Sequence, residues 1–373
     1  MGEGVIQSLG HVHTQGRPLA SVETFSATLL RDKAHSGARY PREGGHTSGR
    51  DRSTARQTCY RAGSNGTGKR GLLLHLFPRH KKKDGGFRPF LNLRKLNKLI
   101  EVPSFRMETL RSVISAVESG EWLTSIDLKD AYLHEPIHSE FKKYLWFSFD
   151  ARCYQFRILP FRISPAPRVF TKLMLIPAQV ARSKGRFCHP YLNDWLLRAL
   201  SHHMSQIATQ EVLDILVSLG WIVNLKKSDL NPAQTLVFLG ANLNTESGLV
   251  SLSQDRIVRV KSVTSLFLLS TRHTARTWLQ LLGNMSATVD VVWRARLRMR
   301  PIQQALRRLW ANSEDLEKVL ETTAWLIPHL QWWTEDGNLS RGLPLDTAVP
   351  SLTVQTDASL SGWGGVLNDH TAS

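Results

Sequence analysis

Residues 125–132 read Ser-Ile-Asp127-Leu-Lys-Asp130-Ala-Tyr132, and they close an apolar run that begins near Glu121. Such a run predicts a buried strand over 121–128 with a carboxylate at its end. A lone acid at a strand end is ordinarily a solvated cap, so its meaning depends on what surrounds it. Downstream, Tyr191-Leu-Asn193-Asp194-Trp195 places a second carboxylate in a tight apolar-flanked turn, predicting a hairpin over 188–197. Upstream, Lys81-Lys-Lys-Asp-Gly-Gly-Phe-Arg88 is a cationic, glycine-hinged hairpin. Alone, three lysines are a wet surface. Together the three segments offer acids from separate strands and a flexible cluster of cations.

That combination has a chemistry. Nucleotidyl transfer uses two divalent ions about 4 Å apart, held by carboxylates from different strands. It also uses cations to neutralise an incoming triphosphate. The rest of the chain suits such a site. Strands are predicted over 143–149 and 154–159, and a helix over 164–180 opened by Ser164 with proline in its first turn. Ile207, Val212, Ile215, Leu216 and Leu219 recur at helical spacing up to a stop at Gly220. Strands return over 222–253, and 254–330 is mostly helical. Residues 332–347 are polar and punctuated by Gly and Pro, a predicted linker, and Val354 starts a new strand.

Composition sets the outer bounds. The 373 residues suffice for two or three domains, and 42% hydrophobic content with 11 Trp argues for a folded body. A formal charge of +17 favours a polyanionic partner, nucleic acid first and an anionic membrane surface second. Charge alone also suits a basic protein with no such partner. No apolar run approaches the roughly 20 residues that span a bilayer, and the first residues lack the form of a signal peptide. Cys59, Cys153 and Cys188 are too few and scattered for a disulfide framework. An intracellular, reduced protein with no membrane partner is expected.

Residues 1–70 are rich in Gly, Ser, Thr, Arg and His without periodicity, and are expected to be disordered or degenerate. Their Gly63-Ser-Asn-Gly-Thr-Gly-Lys69 approaches a phosphate-binding loop, but Arg70 stands where Ser or Thr should hold magnesium, and no strand precedes it. Asn65-Gly-Thr67 is a glycosylation sequon of no consequence without a secretory route. Three further features have bland and sharp readings. Arg294, Arg296, Arg298 and Arg300 could grip phosphates or form a solvated helix face. Trp325, Trp332 and Trp333 fit core packing better than base stacking. His202-His203 has no partner at metal-site spacing.

Over about residues 72–373 the chain resembles the reverse transcriptases of retroelements, most closely those of DIRS-type retrotransposons. The resemblance implies a right-hand polymerase fold of α/β (α+β) class: fingers and palm over 71–250, a helical thumb over 251–331, a linker over 332–351 and a truncated ribonuclease H-like start over 352–373. Residues 81–97 resemble the fingers segment, implying Lys82 and Arg88 as triphosphate ligands; Asn92 stands where the family usually has Asp. Asp127 in SIDLKDAY would be a metal ligand, and Tyr132 the aromatic gate that packs on the sugar and excludes a 2′-hydroxyl. Arg162 in LPFRI replaces a glycine, and Asn193 in YLNDW replaces the first of two aspartates, leaving Asp194 as the second catalytic acid. Lys227 in Asn224-Leu-Lys-Lys-Ser228 would assist the pyrophosphate leaving group. Residues 237–240 look like the primer-grip hairpin, and 280–286 with 299–301 like the thumb and connection. Thr356-Asp357-Ala-Ser359 resembles the opening of ribonuclease H, with Asp357 its first metal ligand; the chain ends before that fold's other acids, so this piece is expected not to cleave RNA.

The implied function is DNA synthesis on an RNA or DNA template with primer, using deoxynucleoside triphosphates and magnesium, with manganese as the alternative ion. Two rivals stand beside it. One is a decayed polymerase that binds nucleic acid without chemistry, favoured by Asn92, Arg162 and Asn193. The other is a basic structural or RNA-binding protein whose motifs are accidental.

Overall fold

The structure, a computed structural model, describes residues 73–80, 87–149, 152–311, 313–346, 353–359, 361–367 and 370–372. The expected N-terminal region 1–70 and Lys82 lie outside the described residues. In chain order the strands are β1 (Leu73–His80), β2 (Phe87–Leu91), β3 (Trp122–Asp127), β4 (Trp146–Phe149), β5 (Arg152–Gln155), β6 (Phe187–Tyr191), β7 (Asp194–Ala199), β8 (Asp229–Ala233), β9 (Thr235–Phe238), β10 (Ala241–Asn244) and β11 (Leu249–Leu252). Then follow β12 (Arg272–Thr274), β13 (Val319–Glu321), β14 (Leu343–Pro344), β15 (Val354–Ala358), β16 (Trp363–Leu367) and β17 (His370–Ala372). The longer helices are α1 (Ala166–Ser183), α2 (His202–Ser218), α3 (Gln254–Leu269), α4 (Ala275–Ser286) and α5 (Ala295–Leu309). The chain divides into two compact units, Met1–Phe105 with Asp130–Phe170, and Arg106–Lys129 with Thr171–Ser373.

The first unit is built on a sheet of order β2-β1-β4-β5, in which β1 runs antiparallel to β2 and parallel to β4. Leu74, Leu91, Leu96, Leu145 and Phe147 fill its core. Two expectations are corrected here. The strand expected over 154–159 ends at Gln155, because the backbone beyond turns to the 135–137 segment: Ile137 N–H donates to the Arg157 carbonyl (2.9 Å) and Leu159 N–H to that of Glu135 (2.8 Å). Ser164 does not open the helix, which starts at Ala166; its N–H (2.9 Å) and Oγ (3.2 Å) both donate to Asn97 Oδ1. Asn97 Nδ2 in turn donates to the Arg162 carbonyl (2.8 Å), so one side chain from a distant segment shapes the loop ahead of α1.

The second unit centres on an antiparallel sheet of order β6-β7-β3-β8. Helix α2 packs on it because Ala208, Val212 and Leu216 fall on one face at helical spacing, with a buried Thr124–Thr209 hydroxyl pair at 2.7 Å. Ser201 caps its start, accepting from Met204 N–H (3.2 Å). Gly220, at φ +84°, lets the chain turn away so that Trp221 N–H reaches the Leu216 carbonyl (3.0 Å). A second sheet, β14-β11-β10-β9, and helices α3 to α5 share one apolar core with Trp278 at its heart.

The expected linker is folded through residue 346. Trp333, Leu339 and Leu345 are buried in that core, and β14 pairs with β11. The polar residues between them face outward, so spacing hid three core anchors. Trp325 is half exposed, while Trp332 is half-buried against Trp333. The three-stranded meander β15-β16-β17 completes the described chain, with Val354 and Trp363 exposed.

Candidate active site

Asp127 is the last residue of β3 and Asp194 the first of β7, and the antiparallel register sets them directly opposite each other. Such pairs hold their Cβ atoms about 5 Å apart, close enough for like charges to repel strongly. The hairpin between β6 and β7 turns on two residues, Leu192 and Asn193, with Leu192 at φ +54°. Backbone hydrogen bonds tie the turn to the end of β3: Leu128 N–H donates to the Asn193 carbonyl (2.8 Å). From the other side Asn224 N–H donates to the Asp127 carbonyl (2.8 Å), and Asp127 N–H donates to Ser228 Oγ (3.0 Å).

Asn193 joins the two acids. Its Nδ2 donates to Asp127 Oδ2 (3.1 Å) and to Asp194 Oδ1 (3.2 Å). All three side chains are half-buried. Burial, then the neighbouring Asp127 charge and a hydrogen bond with it, push the Asp194 carboxyl up to about 6, partly offset by the Lys227 ammonium. The structure thus brings Asp127, Asn193, Asp194 and the charge of Lys227 to one place. The pair can share a proton or hold a cation. Two carboxylates crowded against their own repulsion are hard oxygen donors that fit a divalent ion such as magnesium. Among the described residues, no cluster of three or more His, Cys, Asp or Glu is placed to hold a metal.

The remaining predicted residues stand on other elements. Tyr132 belongs to the first unit, where its ring packs on Phe161 and Phe170 with centroids 5.4 and 5.3 Å away. Arg88 is on β2, paired in register with Arg79 on β1, and its side chain lies outside the described residues. Asn92 is exposed, with its Oδ1 accepting from Arg94 N–H (3.3 Å). Asp357 sits exposed on β15 and accepts from Ala358 N–H (2.8 Å).

Sequence reasoning missed two supports. Ser228 and Asn224 clamp the backbone of Asp127, and their only signal was two polar residues four apart around the lysines. At the far end of β3 and β7, Arg198 pairs with the buried Glu121 (2.6 Å). Its Nε donates to His189 Nε2 (3.3 Å), which leaves the ring proton on Nδ1 to donate to Glu108 (2.9 Å). That hydrogen bond holds the Glu108 carboxyl below its ordinary value, against burial. This part-buried chain anchors the strands whose other ends carry the acids.

Comparison with known proteins points to one family over part of the chain. Residues 80–243 match the family model of the reverse transcriptase (RNA-dependent DNA polymerase). Among relatives, the polyprotein of Cassava vein mosaic virus is 23% identical over 295 residues, covering 77% of this chain and 42% of the relative. The Pro-Pol polyprotein of Simian foamy virus type 1 is 26% identical over 190 residues, covering 48% and 15%. The chain therefore spans less than half the length of these relatives. The fold matches the foamy viral protease–reverse transcriptase solved with double-stranded DNA, at TM-score 0.61 and 18% identity over 79% of this chain and 49% of that one. The same protein with an RNA/DNA hybrid gives 0.60 and 17%, over 79% and 37%. Across residues 80–243 the chain is similar to the reverse-transcriptase family, and its mixed α/β fold matches that of the solved polymerase.

Proposed function

We infer that the chain is the RNA-directed DNA polymerase part of a retrotransposon polyprotein of DIRS type, extending a primer on an RNA or DNA template. The observation that carries this reading is the register-paired Asp127 and Asp194, tied by Asn193. In this reading 71–250 are fingers and palm, 251–331 the thumb and connection, and 352–373 the start of a ribonuclease H domain with Asp357 as its first acid. Asp127 and Asp194 would hold magnesium, or manganese in its place. The bound ion supplies positive charge against the oxygens of the transferring phosphoryl group. Lys82 and Arg88 neutralise the incoming deoxynucleoside triphosphate. Tyr132 packs on its sugar, where a 2′-hydroxyl would clash. Lys227 stabilises the departing pyrophosphate, and its charge already acts on Asp194.

Asn193 weakens this machinery. Two magnesium ions bring four positive charges; three carboxylates would oppose them with three negative charges, and with asparagine only two remain. A neutral amide oxygen is a poor substitute for a carboxylate toward a hard cation. The amide in this chain also turns its nitrogen to the acids, so it fills their lone pairs. The deficit falls on charge that develops in the transition state, lowering the rate by roughly two to three orders of magnitude. Asn193 equally favours the second reading, a remnant that binds nucleic acid without chemistry. Template-directed primer extension in magnesium or manganese separates them: slow incorporation lost in Asp127→Ala supports the polymerase, and none under any condition supports the remnant.

A further inference from the structure

Helix α5 carries five arginines and no acid in its 15 residues, ARLRMRPIQQALRRL. Ala295, Met299, Ile302, Ala305 and Leu306 are buried against the core, which leaves the rest of the helix surface to water. On one flank, beside the buried stripe, Arg296, Arg300, Gln303 and Arg307 recur at spacings of four, three and four, and all are exposed. They form a ladder along about 16 Å of helix axis. Among the described residues, none of the arginines at 294, 296, 300, 307 and 341 forms an ion pair with a carboxylate.

Each end of the ladder has its own feature. Ahead of it, the guanidiniums of Arg294 and Arg341 both lie over the ring of Trp293, at 4.0 and 5.1 Å from its centroid. The ring holds two like charges near each other without an acid between them. At the other end, Gln303 and Arg307 edge an open cleft lined by Leu282, Leu306, Trp310 and Ala311. Cations along a line, beside an apolar cleft with an indole in its wall, match a polyanion that also carries flat apolar groups. A lipid headgroup surface would meet the charges but has no reason for the cleft.

We propose that the α5 face, from Arg296 to the Trp310 cleft, is a second nucleic-acid site that takes a single strand, phosphates on the arginines and a base in the cleft. The site stands on α5, whose principal partners are α4 and the short helix Ile327–Trp332, and not on the strands bearing Asp127 and Asp194. It does not need the polymerase reading: failure of primer extension leaves it standing, and its own failure leaves the polymerase standing.

The test uses the full chain and a labelled single-stranded oligonucleotide of about 16 nucleotides, titrated at several salt concentrations. The triple variant Arg296→Gln/Arg300→Gln/Arg307→Gln changes only exposed side chains. It should bind at least roughly tenfold more weakly at low salt, with a log–log salt slope shallower by about 2. The matching lysine triple variant keeps the charge and should keep the slope. Trp310→Leu should weaken single-strand binding while leaving the slope unchanged, since stacking releases no counterions. An unchanged slope in the glutamine variant overturns the proposal. So does tighter arginine-dependent binding to phosphatidylserine vesicles than to the oligonucleotide, which assigns the face to a membrane surface.

Discussion

An amide nitrogen 3.1 Å from one carboxylate and 3.2 Å from the next gives the acid pair a neutral tie where a cation or a proton would otherwise sit. The electrostatics at Asp194 make this measurable. Burial and Asp127 raise its carboxyl from an ordinary 3.8 to about 6, so the ion-free folded protein holds a proton that the unfolded chain releases between those values. That stabilisation is fully present below the ordinary value and disappears as pH rises through about 6. In a chelator, the melting temperature should fall between about pH 4 and 7 relative to that of Asp194→Asn, which lacks the titration. Magnesium should reverse the loss at the upper end, because it binds the charged form. Coincident pH profiles of the two proteins would show that the pair is not strained.

Arg162 presents the same scale differently. Its backbone lies at φ +73°, a region that L side chains occupy at a cost of about 1–2 kcal/mol and glycine occupies freely. The glycine that the resemblance implies at this position would have a backbone reason in this φ. Arg162→Gly should raise stability by up to about 1 kcal/mol, reduced by glycine's greater freedom in the unfolded chain. A denaturant midpoint that falls on substitution would mean that the arginine's own contacts outweigh the strain. Asp127 was legible in the sequence as an acid closing an apolar run, and Asp194 as one in a tight apolar-flanked turn. The tie through Asn193 was not, because the direction of an amide depends on the turn that presents it. Ser228 was equally hidden, since its partner Asp127 is about a hundred residues away.

At the scale of elements, strands and long helices were read from period and caps, and the errors fall where partners are distant. Ser164 has the form of an N-cap, but Asn97 captures it first. The supposed linker looked polar because Trp333, Leu339 and Leu345 sit in short elements that never repeat a period, yet each is buried. Trp333→Ala should therefore cost about 3–5 kcal/mol, read from urea unfolding; a cost below about 1 kcal/mol would restore the linker. The buried Glu121–Arg198 pair has a sharper consequence. Arg198→Met leaves a carboxylate that is 1% exposed without its cation, and should cost about 3 kcal/mol. The double variant with Glu121→Gln should recover part of that loss, and equal destabilisation of single and double variants would show the ion pair to be incidental.

For the whole molecule, the +17 charge, the fold and the acid pair support the proposed template-directed synthesis, whose speed Asn193 is expected to limit. The most direct measurement is single-turnover extension of a primer on an RNA template. The unaltered chain, Asn193→Asp, and each combined with Asp127→Ala are compared in magnesium. The account predicts slow extension by the unaltered chain, at least roughly tenfold faster extension by Asn193→Asp, and none by either Asp127→Ala form. Extension by the unaltered chain as fast as by Asn193→Asp, or extension that survives Asp127→Ala, would contradict it.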